Sequence, residues 1–473
     1  MGKPGRVVHG SVVTLTVAIR HMDISDLTDI EGALASIGES GSVAVYRPFW
    51  GESLASYPAD CGHLLDPAVV AGSAAVAGCD ESTVAALLRL TERVRRSPVH
   101  AFLLWHQFRL VFAQSREEYP LPSFTAAAPP QFPLFEQSLG DDGGLMHLLT
   151  LLGYVPGARA EYAKRGIDES VVRDTLLDIG LAVIRYSRRY GGRMGIMPVT
   201  LQWFRVRAQC RYFRLGRLQF EIVPASPEVH VFRDRLTGAV VALSDLGGRT
   251  GTALGPGSSP APGRIGGRFV FPDGRAATVP VLLDGSRWEL AYEPGETAIA
   301  VHIPEGEPMT PDRCRESLLL ALSFFPRHFP EVAFRAFQCR SWMLNPDIAS
   351  FYREDMNIVR FQREGYLYPI DADGAPPTLF FLFDRVDVEL GGNAEGRKAP
   401  PWVGLKRAVL EHQACGGRLR VGGWILLVED VVKFGTRPYV DAALPAAMDA
   451  GDRAILGEYG VETGSCADRG VHY

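Results

Sequence analysis

The sequence predicts an α+β protein: a mostly helical N-terminal domain followed by a domain of mixed β-sheet flanked by helices. Three observations carry the secondary-structure part of this. Apolar residues recur at spacings of three and four between Asp80 and Gly191. Short alternating runs bounded by Gly and Pro take over after Leu201. The segment Ala298–Asn345 then reads as strand, loop, helix, strand, with polar residues at the strand ends.

At 473 residues the chain exceeds the size at which single cores usually stop growing, so two domains are expected. Residues 1–78 read as an N-terminal extension, with strands or irregular structure around VVTLTVAI and SVAVYRP. The helical domain is expected over 79–200, where ESTVAALLRLTERVRR and HAFLLWHQFRLVFAQ form two helices parted by Ser97-Pro98. A proline-rich connection, 120–133, leads to LMHLLTLLGYVP and DESVVRDTLLDIGLAVIRYSRRYGG. The latter has Asp168 as a natural N-cap and Gly191 as a natural stop.

The β-rich domain is expected over 201–435, with RLQFEIVP, VHVFRD, RFVFP and WELAYEP as strands. Inside it, 245–268 is dense in Gly, Pro and Ser and reads as a mobile surface loop. LKRAVLEHQACGG is a helix ended by glycine, RLRVGGWILLVED a strand pair around Gly422-Gly423, and 436–473 an appendage.

Hydrophobic residues make up 47% and charged residues 22%, which excludes wholesale disorder. No apolar run approaches the roughly 20 residues that span a bilayer, and MGKPGRVVHGSVV lacks the apolar core of a secretion signal. A cytoplasmic protein with no membrane partner is expected. A net charge of −5, with Lys and Arg interspersed, argues against nucleic acid. The exception is RVRAQCRYFRLGR, whose five arginines between 205 and 217 read as a helix face for carboxylates or an acidic ligand. Seven cysteines without a CxxC pair suggest neither a disulfide framework nor a zinc site, so no metal is expected. GxxxxGK[ST], GxGxxG, HExxH and GxSxG signatures are missing, and Asp371-Ala-Asp373 reads as a turn rather than a metal motif.

Chemistry is expected in Ala298–Asn345. Ile299, Val301 and Ile303 alternate with Ala298, Ala300 and His302, so the histidine ends a strand face emptied by two alanines. Thr310 is placed to cap the next helix by accepting a backbone N–H, with Pro311 and Asp312 in its first turn. The loop Glu305–Met309 therefore reaches a helix N-terminus, where free N–H groups can bind an anion. On the following strand Phe337, Cys339 and Ser341 share a face. In RLGRLQFEI the apolar phase slips at Gly216, which places a turn or bulge there and sets Arg217, Gln219 and Glu221 on one face as a floor for substrate.

At RLGRLQFE, VHIPEG, FFPRHFPE, CRSW and NIVRFQ the chain resembles a bacterial family of two-domain acyltransferase-like proteins, with an N-acyltransferase-type helical domain and a GNAT-like C-terminal domain. The resemblance spans roughly 80–430 and rests on the order of the motifs. It implies that a thioester of coenzyme A, or of phosphopantetheine on an acyl carrier protein, lies between two splayed central strands and reacts with a small-molecule acceptor. The donor pyrophosphate would meet the loop and helix after the first of these strands, near Thr310, Arg313 and Arg315. The usual loop is rich in Arg and Gly, whereas EGEPMTPD carries two glutamates that would repel a diphosphate.

Acyl transfer needs a base, donors for the oxyanion and an acid for the leaving thiolate. His302 suits the base, or is a hydrogen-bonded support for the loop. Glu221 is a second candidate base, with Arg214 or Arg217 steering a carboxylate or phosphate, unless this face is simply solvated. Cys339 is either a covalent nucleophile or a buried filler. Ser341 and Trp342 line an acyl pocket or only pack, and Asn357 positions the acceptor or caps a helix, as Asn345 does. Three readings follow: direct transfer, a Cys339 acyl-enzyme route as transferase or thioesterase, and a non-catalytic binding protein.

Overall fold

Helices occupy the first half of the chain, for reasons visible at their starts. The computed structural model describes residues 27–58, 61–114, 132–208, 210–244, 263–347, 349, 352–383, 388–389, 392–393 and 404–440. Within them run α1 (Ile30–Ser36), α2 (Val43–Tyr46), α3 (Trp50–Ala55), α4 (Pro67–Val76), α5 (Glu81–Arg95), α6 (Pro98–Phe108) and α7 (Glu136–Leu139). There follow α8 (Gly143–Leu152), α9 (Val155–Lys164), α10 (Glu169–Leu176), α11 (Asp178–Arg189) and α12 (Pro198–Ala208). Asp80 caps α5 by accepting from the Thr83 N–H at 2.8 Å, and Pro98 occupies the first turn of α6. Every residue of α8 is buried, so the other helices pack around it.

Two expectations change here. SVAVYRP is not a strand: Val43–Tyr46 is helical, and VVTLTVAI lies outside the described residues. The long helix expected from Asp168 to Gly191 breaks at Leu177 into α10 and α11. At the break the Gly180 N–H donates to Ala77 O at 3.0 Å, and a Cβ on Gly180 would sit 2.9 Å from that oxygen. This approach to the end of α4 needs glycine, and it leaves Asp178 in the first turn of α11.

The second half holds two larger sheets. β1 (Tyr212–Leu215) and β2 (Leu218–Pro224) form a hairpin, its turn at Gly216 with φ +67°. Next come β3 (His230–Asp234), β4 (Val240–Ser244), β5 (Arg264–Val270), β6 (Ala276–Asp284) and β7 (Trp288–Tyr292), a separate sheet ordered β6-β5-β4-β3-β7. The chain returns through β8 (Thr297–His302), α13 (Pro311–His328), β9 (Ala336–Ser341), α14 (Asn357–Arg363), β10 (Tyr366–Asp373) and α15 (Ala375–Phe383). It continues with β11 (Val388–Glu389), β12 (Gly392–Asn393), α16 (Leu405–Ala414) and β13 (Arg420–Leu427). The main sheet is ordered β1-β2-β8-β9-β13-β10, and β8–β9 is its parallel pair.

Phe213 of β1 meets Phe324, Phe325 and Phe329 with ring centroids 4.8 to 5.9 Å apart. Tyr162 of α9 packs on the same ring at 5.4 Å, and its hydroxyl donates to Tyr212 O. The helical half and the main sheet thus share one core. Each such buried aromatic contributes on the order of 1.5–3 kcal/mol.

The remaining differences concern loops. RLRVGGWILLVED is one strand rather than a pair, because the two glycines permit close approach instead of a turn. A Cβ on Gly422 would lie 1.9 Å from Leu344 O, and one on Gly423 would lie 2.0 Å from the Tyr368 ring. Residues 264–268 belong to β5, while 245–262 lie outside the described residues. Tyr439 is buried and donates to Asp430, so the chain past 435 remains packed at least that far; 441–473 lie outside the described residues. Asp371 and Asp373 end β10, where Asp373 Oδ1 accepts from the Ala375 N–H at the start of α15. Among the described residues no group of three His, Cys, Asp or Glu is placed to hold a metal, and no helix is long and apolar enough to cross a membrane.

Candidate active site

Strand register decides which candidates meet. β2 pairs with β8 over six rungs, from Gln219↔His302 to Pro224↔Thr297, and β9 pairs with β13 over six. β8 and β9 share only Ile299↔Phe337 and Ala300↔Gln338. Beyond Ala300 and Gln338 the two strands part, and the sheet opens toward His302 on one side and Arg340 and Ser341 on the other.

Side chains alternate between faces, so Gln219, Glu221, Ala300, His302 and Gln338 share one face of the sheet. His302 Nε2 lies 2.9 Å from Glu221 Oε2, with His302 31% and Glu221 17% exposed at the side chain. The Tyr212 ring stands beside the imidazole, centroids 5.1 Å apart. Its hydroxyl donates to Gln219 Oε1, and Gln219 Nε2 donates to Asp178 Oδ2. Arg214 completes this chain, its Nη1 3.7 Å from Asp178 Oδ1.

Tyr212 and Asp178 were not singled out by the sequence. Tyr212 could have been found, since it pairs with Glu221 and stands two residues before Arg214, in phase with the polar face. Asp178 gave no such signal, because its position depends on the break at Leu177.

Arg217 leaves the expected floor. Its backbone N–H donates to Ser317 Oγ at 2.8 Å and its Nε donates to Glu307 O, so the side chain braces the loop before α13. Burial lowers its pKa from the ordinary arginine value. The arginine-rich run is likewise no single helix face: Arg205 and Arg207 fall in α12, Arg214 in β1, and Arg211 donates to Ile222 O.

Cys339 lies on the opposite face, with Phe337 and Phe220, whose rings are 5.8 Å apart. It is 2% exposed, and burial pushes its thiol up to about 12. A thiol on the far side of the sheet, held protonated, does not suit a nucleophile for the His302 face. Ser341 Oγ accepts from the Met343 N–H at 3.1 Å and caps the short turn begun by Trp342, which is half-buried. Asn357 is the first residue of α14 rather than its cap, a position held by Met356. Asn345 is buried and accepts from the Asp347 N–H at 3.2 Å in a tight turn.

The loop after β8 reaches α13 as expected, and Thr310 sits at the N-cap with extended φ −65° and ψ 149°. Its side chain makes no capping hydrogen bond; the Cys314 N–H donates to Thr310 O instead. The two glutamates do not stand as bare charges. Glu305 accepts from Arg188 at 2.9 Å and Arg185 at 3.2 Å, and Glu307 pairs with Arg313 at 2.6 Å. Burial pushes the Glu305 carboxyl up, but the hydrogen bonds from Arg188 and Arg185 outweigh it and hold the group below its ordinary value. Arg315 instead lines an open depression of about 400 Å³ along α13 with Asp312, Glu316, Leu319 and Leu320.

Family profiles match both halves: one described as an N-acyltransferase N-terminal domain covers 74–207, and one described as a GNAT-like C-terminal domain covers 212–426. Among curated proteins none matches. Similar solved structures include an acyltransferase in complex with decanoyl-CoA and teicoplanin, with TM-score 0.56 and 21% identity over 85% of this chain and 99% of that one. Another is an acyltransferase mutant in complex with octanoyl-CoA, with TM-score 0.56 and 21% identity over 84% and 99%. A third, an acyltransferase in complex with CoA and 10C-teicoplanin, has TM-score 0.51 and 22% identity over 85% and 99%. These likenesses show a shared fold over most of the chain. With both profiles matched in this order along 74–207 and 212–426, the chain belongs to the two-domain acyltransferase family that joins an N-acyltransferase N-terminal domain to a GNAT-like C-terminal domain.

Proposed function

We propose that this acyltransferase moves an acyl group from a coenzyme A thioester to an amine or hydroxyl of a small acceptor by direct attack, with His302 and Glu221 as the basic pair. The observation that carries the reading is the gap between β8 and β9. Two shared rungs are followed by parting strands, His302 stands at the mouth, and the loop behind it runs to the N-terminus of α13. A thioester lying in the gap would place its carbonyl near the imidazole.

A carboxylate only accepts hydrogen bonds, so in the neutral imidazole that a base requires the Glu221 contact supports a proton on His302 Nε2, with Nδ1 as the acceptor. Nδ1 takes the proton from the acceptor as its nitrogen or oxygen bonds to the acyl carbon. The carbon–sulfur bond breaks, and the released thiolate takes up a proton to give free thiol. The products are an amide or ester and coenzyme A. Glu221 holds the ring and stabilises the imidazolium that forms. Tyr212, through Gln219 and Asp178, fixes the floor beneath it. Arg214, Trp342 and Asn357 remain the proposed substrate-side groups, while Gln219, buried and tied to Tyr212 and Asp178, supports the floor beneath the histidine.

Coenzyme A is the donor to try first because it accompanies the similar structures, and teicoplanin is the first acceptor for the same reason. An acyl carrier protein is the comparison donor. Decanoyl-CoA mixed with the protein and a glycopeptide acceptor should release thiol, and the carrier-bound donor should react more slowly. Failure to bind or consume any of these donors would remove the reading.

A further inference from the structure

Five arginines surround the turn Glu305-Gly306-Glu307. Arg185 and Arg188 reach Glu305, Arg313 reaches Glu307, Arg217 holds Glu307 O, and a Cβ on Gly306 would lie 3.9 Å from Arg214 Nη2. Arg185 and Arg188 come from α11, 120 and 117 residues upstream of Glu305. Arg185 is 26% exposed at the side chain and its guanidinium lies over the Phe381 ring at 5.7 Å, so packing holds it in place. Glu305 is 46% exposed, on a turn whose Gly306 has φ +140°, a conformation that L side chains rarely adopt. Two guanidinium groups, one partly buried on Arg185 and one 51% exposed on Arg188, thus face a single carboxylate on a surface turn.

We infer that Arg185 and Arg188 form a seat for a phosphate group of the thioester donor, and that Glu305 occupies this seat until the donor displaces it. The inference rests on the donor reading above. The 3′-phosphate, or the diphosphate taken whole, carries more charge and more acceptor oxygens than a carboxylate and can engage both guanidinium groups at once, so exchange favours it. The acidic turn then acts as an internal competitor: it keeps the arginines paired without donor and sets a threshold for donor binding. It also makes α11, a helix of the N-terminal half, part of the donor site.

Calorimetry on the full chain tests this with coenzyme A, dephospho-coenzyme A, which lacks only the 3′-phosphate, and pantetheine, which has no phosphate. Glu305→Gln should bind coenzyme A about three- to tenfold more tightly than the unaltered protein, the factor that one or two surface ion pairs represent. Pantetheine binding should not change. Adding Arg185→Gln and Arg188→Gln should erase the gain. A gain kept with dephospho-coenzyme A assigns the seat to the diphosphate; a gain lost with it assigns the seat to the 3′-phosphate. If the unaltered protein binds coenzyme A and Glu305→Gln binds it equally or less well, while melting normally, Glu305 only ties the loop to α11 and the inference fails alone. If neither protein binds coenzyme A, the inference fails together with the donor reading.

Discussion

His302 and Glu221 touch diagonally across β2 and β8: the residue opposite His302 is Gln219, and the one opposite Glu221 is Ala300. The small alanine leaves the carboxylate room to reach the imidazole two rungs away, the next position on the same face. The pair therefore reads as a base and its orienting group. His302→Ala should lower kcat by about 10²–10⁴, the usual range for a general base, and Glu221→Gln by a smaller factor. A thiol-release assay checks this, and unchanged turnover in both variants would move the base elsewhere.

Cys339 faces the other way, buried beneath the sheet with its thiol raised to about 12. Cys339→Ala should keep most turnover and lose only about 1–2 kcal/mol of stability, as a small truncation in a packed site does. Intact-protein mass spectrometry after mixing with decanoyl-CoA should show no acyl adduct. An adduct lost in Cys339→Ala would restore the covalent route.

Gly422→Ala should cost about 1–3 kcal/mol, because its Cβ would meet the backbone oxygen of Leu344 at 1.9 Å rather than a side chain that can swing away. A fall in the denaturant midpoint at constant slope is the expected readout.

Three histidines of the helical half, His100, His106 and His147, are buried, and burial lowers each to about 4. Unfolded, they titrate near 6.5. The native state therefore binds fewer protons, so their contribution is fully present above about pH 6.5 and is lost as pH falls from 6.5 toward 4. Each can account for at most on the order of 3 kcal/mol. Asp234, held far below the ordinary carboxylate value by its hydrogen bonds with Arg287, belongs to a lower window. Denaturant midpoints should thus drop between pH 6.5 and 5; a flat profile there would contradict this assignment.

Local signals in the sequence carried the elements well. Asp80 before α5, Pro311 at the start of α13, and the alternation through β2, β8 and β9 depend on neighbours a few residues away. What depended on distant pairing was not legible. β2 joins β8 across an intervening five-stranded sheet, which no local period reports. The partners of Glu305 stand more than a hundred residues upstream, so its carboxylate looked repulsive when it is paired. Gly422-Gly423 looked like a turn because glycine serves both turns and close approaches. Alternation already placed Cys339 with Phe337, but only the β8–β9 register showed that Glu221 and His302 lie on the other face.

The most direct test of the account is thiol release from decanoyl-CoA in the presence of teicoplanin, comparing the unaltered protein with His302→Ala. The account predicts acceptor-dependent release that falls by about 100-fold or more in the variant, with equal donor binding by both proteins. Equal rates in the two proteins, or no release by the unaltered one, would contradict it.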